Sequence, residues 1–233
     1  MAIKVFCDAA DLASMLQLAK NPRISGFTTN PTLMKKAGVT DYRAFARAAL
    51  DAVTDKPISF EVLADDFATM EKQALEISTW AKNVYVKIPV TNTRRESAAG
   101  LVKRLAQGGV KVNVTACFTA EQVRAVSAAL AGGPPSVVSV FAGRIADSGR
   151  DPKPHMTEAL AICRAADKNI ELLWASPREV LNVVEAEQVG CDIITATPDL
   201  LAKLSSLGKS LDDFSQETVE MFFRDATGAG YKL

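Results

Sequence analysis

The chain has 233 residues, 48% of them hydrophobic, with 27 basic and 27 acidic side chains and no formal net charge. That length and composition suit one sizeable globular core, and the balanced charge argues against a nucleic-acid or polyanion binder. No apolar run is long enough to span a membrane, and the opening MAIKVFCDAADL lacks the apolar stretch of a signal peptide, so a cytoplasmic protein is expected.

Short apolar runs recur along the chain with helical patterns between them. Residues 3–8 read as a first strand, followed by helical spacing over 11–18. Residues 26–29 and 58–62 are the next two strands, separated by a helix over 41–53. A helix over 66–81 leads to a fourth strand, 84–89, and one over 94–107 leads to a fifth, 111–116. Thr119 with Gln122 three residues on has the form of a capping box and opens a helix over 119–131. Gly132-Gly133-Pro134-Pro135 makes a loop before a sixth strand, 137–141. Residues 170–175 are the seventh strand, 177–189 a helix and 192–195 the eighth strand.

Eight strand–helix alternations predict a parallel sheet, and the count fits a closed (β/α)8 TIM barrel, which typically needs about 250 residues. An open doubly wound sheet is the alternative, but no GxGxxG turn opens a helix. Residues 1–233 read as a single barrel domain, with 211–233 as a C-terminal helix and tail. Phe214, Val219, Met221, Phe222 and Phe223 give that helix an apolar surface, for its own barrel or for a neighbour. Cys7, Cys117, Cys163 and Cys191 are widely spaced and form no CxxC pair, so neither a zinc site nor any other metal or cofactor is expected. They read as small buried hydrophobes in a reducing compartment.

Strand side chains alternate in direction. Asp8 shares a parity with Phe6, Glu61 with Ser59, Lys87 with Tyr85, Thr115 with Asn113, and Ser139 with Phe141. The valines and other apolar residues take the opposite parity and would face the helices. The polar set would point into the barrel, toward the strand ends where barrel enzymes carry their sites. Asp8, Asn30, Glu61, Lys87, Asn113, Thr115 and Ser139 are therefore expected at one opening. Singly, each has a plain alternative: a helix cap for Asp8, a turn for Asn30, a solvated strand end for Lys87.

A lysine among carboxylates, amides and hydroxyls, with no metal signature, suggests amine catalysis. A desolvated lysine loses its proton more readily, and the neutral amine attacks a carbonyl to form a Schiff base. Asp8 and Glu61 are the carboxylates available as acid and base. Thr115 is suited to hold a water between Glu61 and the intermediate, and Asn30, Asn113 and Ser139 to hydrogen-bond substrate hydroxyls. Arg144 follows strand six; Ser176 and Arg178 follow strand seven. Two arginines and a hydroxyl there suit a terminal phosphate, with surface salt bridges as the alternative. His155 has no assigned role and reads as a surface or capping residue near a helix start.

The segments GFTTNPTLMKKAG, VYVKIPVT, NVTACFT, SVFAGRI and ASPRE, in that order, resemble the transaldolase family in its short form, which also includes fructose-6-phosphate aldolases. The resemblance runs from KVFCDAADL to GCDIITATPDLLAKL. It implies a barrel with its Schiff-base lysine at Lys87 and with Asp8 as acid/base for cleavage of the C3–C4 bond. It implies that Glu61 and Thr115 handle the catalytic water, that Thr28, Asn30, Asn113 and Ser139 line the ketose site, and that Arg144, Ser176 and Arg178 bind phosphate. Glu61 and Phe141 match the transaldolases, where the aldolases usually carry glutamine and tyrosine. The implied reaction is transfer of a dihydroxyacetone unit between sugar phosphates, with no nucleic acid or membrane partner, by a homo-oligomer of the decameric kind common in the short form. The alternatives are an aldolase that releases dihydroxyacetone, a transaldolase for a deoxy or sulfonated ketose, and a non-catalytic sugar-phosphate-binding barrel. Thr32, Trp174, Pro177, Glu179 and the turn Ala196-Thr197-Pro198 depart from the family's usual residues.

Overall fold

The computed structural model describes residues 3–232. It divides into two compact units, one reaching Leu201 and one starting at Ala202. The first is a closed barrel of eight parallel strands in chain order: β1 (Lys4–Asp8), β2 (Ile24–Thr28), β3 (Ile58–Glu61), β4 (Val84–Pro89), β5 (Val112–Cys117), β6 (Ser136–Val140), β7 (Ile170–Trp174) and β8 (Ile193–Ala196). Pairing of β1 with β8 closes it. Among the described residues, no helix is long and apolar enough to cross a membrane.

The connecting helices are α1 (Leu12–Ala19), α2 (Pro31–Lys36), α3 (Tyr42–Ala52), α4 (Phe67–Ser78), α5 (Ala99–Gln107), α6 (Ala120–Leu130), α7 (Ala142–Asp147), α8 (Pro152–Ala166), α9 (Leu181–Val189) and α10 (Pro198–Ala202). Asp11, Asp41 and Asp66 cap α1, α3 and α4, each accepting a backbone N–H three residues on. The Thr119–Gln122 capping box is formed. Exposed His155 lies in the first turn of α8.

Two helices start later than their sequence pattern predicts. α5 begins at Ala99, not 94, because Asn92 Oδ1 accepts from the backbone N–H of Arg94 and Glu96, folding 91–97 into a small turn with a bridge from Thr91 to Ser97. α9 begins at Leu181, not 177, because Asn182 Oδ1 accepts from the N–H of Arg178 and Glu179. In both places a short polar side chain gathers backbone N–H groups into a turn that takes the place of the expected first helical turn.

The outward parity of the strands forms the layer under the helices. Cys7, Phe27, Phe60, Val86, Val138, Leu172 and Trp174 are fully buried there or nearly so. Each such large apolar side chain contributes about 2–3 kcal/mol. Inside the barrel Phe6, Val137, Leu173, Ala175 and Ile193 pack together, with Tyr85 and Phe141 against them. The inward set is polar at both ends: at the N-terminal ends Lys4 meets Glu171 at 2.5 Å, and toward the C-terminal ends lie the residues of the predicted site. Gly26 makes room for this core, since a Cβ there would come within 2.5–2.8 Å of the Phe6 ring. Burial pushes the thiols of Cys7 and Cys191 up to about 12 and that of Cys163 to about 11, so all three are held neutral.

The second unit consists of a short 3-10 turn (Lys203–Ser206) and the long helix α11 (Leu211–Ala229), capped by Ser210 with Asp212 and Asp213 in its first turn. Its Leu211, Phe214, Val219, Phe222 and Phe223 are exposed.

Candidate active site

Strand register assembles the polar ring. Asp8 pairs with Thr28 across β1 and β2, Glu61 with Lys87 across β3 and β4, and Lys87 with Asn113 across β4 and β5. Lys87 is only 6% exposed. Its Nζ donates to the carbonyl oxygen of Thr29 at 2.8 Å and lies 3.2 Å from Glu61 Oε2. Burial of the ammonium is tolerated because it is both paired and hydrogen-bonded.

Asp8 faces the same space. Its Oδ1 accepts from Thr28 Oγ1 at 2.9 Å, and Asn30 Nδ2 donates to Oδ1 at 3.3 Å and to Oδ2 at 3.1 Å. Asn30 is also the N-cap of α2, where its Oδ1 accepts from the N–H of Leu33 at 2.9 Å. Capping thus fixes which end of the Asn30 amide meets Asp8. Burial pushes the Asp8 carboxyl above its ordinary range. The Lys87 charge and the hydrogen bonds from Thr28 and Asn30 oppose that rise, and Glu61 adds to it.

On the opposite wall Asn113 is 1% exposed. Its Nδ2 donates to Ser59 Oγ at 3.0 Å, and its Oδ1 accepts from Ser139 Oγ at 2.7 Å. One amide N–H of Asn113 and the lone pairs of Ser139 remain for a ligand. Thr115 lies two residues on with its hydroxyl buried; among the described residues that hydroxyl has no hydrogen-bond partner. The β5–β6 register shifts between Val114 and Cys117, across Thr115, and Ala116 takes a positive φ of 59°. Such a bulge re-aims the strand end beside a site.

The predicted phosphate residues follow β6 and β7. The Arg144 guanidinium sits over the Phe141 ring, 5.4 Å from its centroid. Ser176 has a positive φ of 61°. Its carbonyl lies against Gly143, where a Cβ would come within 1.6 Å, so only glycine fits there. Arg178 makes a two-point contact with Asp147, Nε to Oδ1 at 3.0 Å and Nη2 to Oδ2. This is the salt-bridge alternative, realised for Arg178. The hydrogen bond from Arg178 holds the Asp147 carboxyl below its usual range, and the charge of Arg144 adds to the effect, so one carboxylate serves both arginines.

Ser59, Thr195 and Asp147 touch predicted site residues and escaped the sequence reading of the site. Thr195 and Ser59 obey the same inward parity that singled out Lys87, which was the available signal. Asp147 lies on α7 and carries no such signal. Among the described residues, no cluster of His, Cys, Asp or Glu is placed to hold a metal ion.

A closed parallel barrel with a buried lysine and two carboxylates gathered at its C-terminal face has the form of a TIM-barrel enzyme. The profile of the transaldolase/fructose-6-phosphate aldolase family matches residues 5–232, and the chain belongs to that family, whose work lies in carbohydrate metabolism. A probable transaldolase from Dehalococcoides mccartyi is 34% identical over 202 residues, covering 87% of this chain and 90% of its own. A probable transaldolase from Sphingopyxis alaskensis is 35% identical over 231 residues, covering 99% of this chain and 100% of its own. Among solved structures, a "putative phosphonomutase" from Burkholderia cenocepacia shares the fold at 15% identity, with a TM-score of 0.56 over 92% of this chain and 94% of its own.

Proposed function

We propose that this protein is a transaldolase that moves a dihydroxyacetone unit from a ketose phosphate to an aldose phosphate through a Schiff base on Lys87. The observation that carries the reading is the setting of Lys87. It is a buried amine 3.2 Å from Glu61, in a barrel mouth that it shares with Asp8. Glu61 takes the ammonium proton, and the free amine attacks the ketose carbonyl carbon. The resulting carbinolamine loses hydroxide as water, with Glu61 returning the proton through a water held by Thr115. A buried hydroxyl without a protein partner is costly, which supports a water or substrate contact for Thr115.

Asp8 then removes the C4 hydroxyl proton. The C3–C4 bond breaks, its electron pair moves to the iminium nitrogen, and the aldose departs. The enamine attacks the carbonyl of the acceptor aldose, Asp8 gives back its proton to the new alkoxide, and hydrolysis frees the ketose product and Lys87. Asn113 and Ser139 present one donor and one acceptor to the dihydroxyacetone hydroxyl. Arg144, Ser176 and Arg178 meet the phosphate. The exposed apolar side chains of α11 support assembly into a homo-oligomer.

Borohydride reduction in the presence of fructose 6-phosphate tests the reading. Mass spectrometry is expected to find a dihydroxyacetone adduct on Lys87. No adduct, or one on another lysine, refutes the mechanism. Glu61 and Phe141 favour transfer over simple cleavage, so turnover is expected to require an acceptor such as erythrose 4-phosphate.

A further inference from the structure

Thr195, in β8, has no part in the chemistry above. It is 5% exposed, and its hydroxyl oxygen lies 2.6 Å from that of Thr28, itself 3% exposed. Thr28 donates to Asp8 Oδ1 at 2.9 Å. A hydroxyl has a single proton to give, and a carboxylate can only accept. The Thr28 proton therefore goes to Asp8, and the Thr195–Thr28 contact is made with Thr195 as donor. Because β1 pairs with both β2 and β8, barrel closure brings the three side chains into one directed line.

The two oxygens of Asp8 differ in what they already accept. Oδ1 takes Thr28 and the longer contact from Asn30; Oδ2 takes Asn30 alone. We propose that Thr195 is a positioning residue. By donating to Thr28 it commits the Thr28 proton to Oδ1, and so leaves Oδ2 as the oxygen that takes and returns the C4 hydroxyl proton. The inference rests on the reading of Asp8 as the acid/base of the transfer. Donors in series polarise one another, so the line also favours the ionised form of Asp8. The charged groups facing Asp8 are Lys87 from β4 and Glu61 from β3. Thr28 from β2, Thr195 from β8 and Asn30 ahead of α2 are neutral. Substitution at Thr195 leaves all the others in place.

The experiment compares Thr195→Val, which keeps the shape and removes the donor, with Thr195→Ser, which keeps the donor. Each full chain is assayed for the pH profile of kcat, for KM and for borohydride trapping on Lys87. Thr195→Val is expected to trap on Lys87 with KM within about twofold of the parent. Its kcat falls about tenfold, and the acid limb of its profile moves up by about half to one pH unit. Thr195→Ser restores both. An unmoved acid limb overturns the proposal. A downward move also overturns it, because that result means Thr28 had been donating to Thr195. Should Thr195→Val fail to fold by circular dichroism, Thr195→Ala tests the same shift. Absence of a Lys87 adduct in the parent chain refutes the transaldolase reading and this role with it. An adduct with an unmoved profile refutes this role alone.

Discussion

Replacing Ser59 by alanine removes one oxygen from the barrel, yet its effect should reach the substrate. Ser59 Oγ accepts from Asn113 Nδ2 at 3.0 Å, and Asn113 is 1% exposed, so water cannot replace the lost acceptor easily. An unsatisfied buried donor costs about 2 kcal/mol. At about 3 °C per kcal/mol for a chain of this size, the melting temperature should drop by about 6 °C. The second effect is on orientation. The hydroxyls of Ser59 and Ser139 anchor the two ends of the amide between them. Without Ser59 one of the two anchors is lost, about 1 kcal/mol, or about fivefold in the population held in place to meet the ketose. Steady-state kinetics with fructose 6-phosphate should show KM raised about fivefold, with borohydride trapping on Lys87 retained. A lower melting temperature with unchanged KM would refute the orienting role. No change in either would refute the hydrogen bond itself.

Two further substitutions probe the charged groups. The Asp8 carboxyl is raised above its ordinary value near 3.8, so between 3.8 and the raised value the folded chain holds a proton that the unfolded chain has released. Stability from this group therefore falls as pH rises through that window. Asp8→Asn should gain melting temperature relative to the parent as pH goes from about 4 to about 7, and a difference that does not vary with pH contradicts the burial of Asp8 as its cause. Asp147→Asn releases Arg178 from its two-point contact. KM for a phosphorylated acceptor should fall about threefold while KM for an unphosphorylated aldehyde stays put. Equal KM values in variant and parent would remove Arg178 from the phosphate site.

Much of the barrel was legible because period-two alternation and helical spacing are local signals. One run of residues delimits a fourth strand over Val84–Pro89, and β4 has those bounds. The same alternation assigned Lys87 and Glu61 to the inner face, and the structure puts them 3.2 Å apart. The starts of α5 and α9 were not legible, since Asn92 and Asn182 each had the choice of facing solvent or capturing backbone.

The alternation of elements and the parity of each strand are present in the chain before it folds, because both follow from backbone geometry within a few residues. So are the motifs that resemble one family. Relations between distant strands arise only on folding. Closure sets Thr195 against Thr28 across 167 positions of chain, and register sets Ser59 against Asn113 across 54. Folding also turned Arg178 toward Asp147. A hydroxyl or a guanidinium has several partners of equal chemical merit in the sequence, and only closure of the barrel selects one by bringing it within about 3 Å.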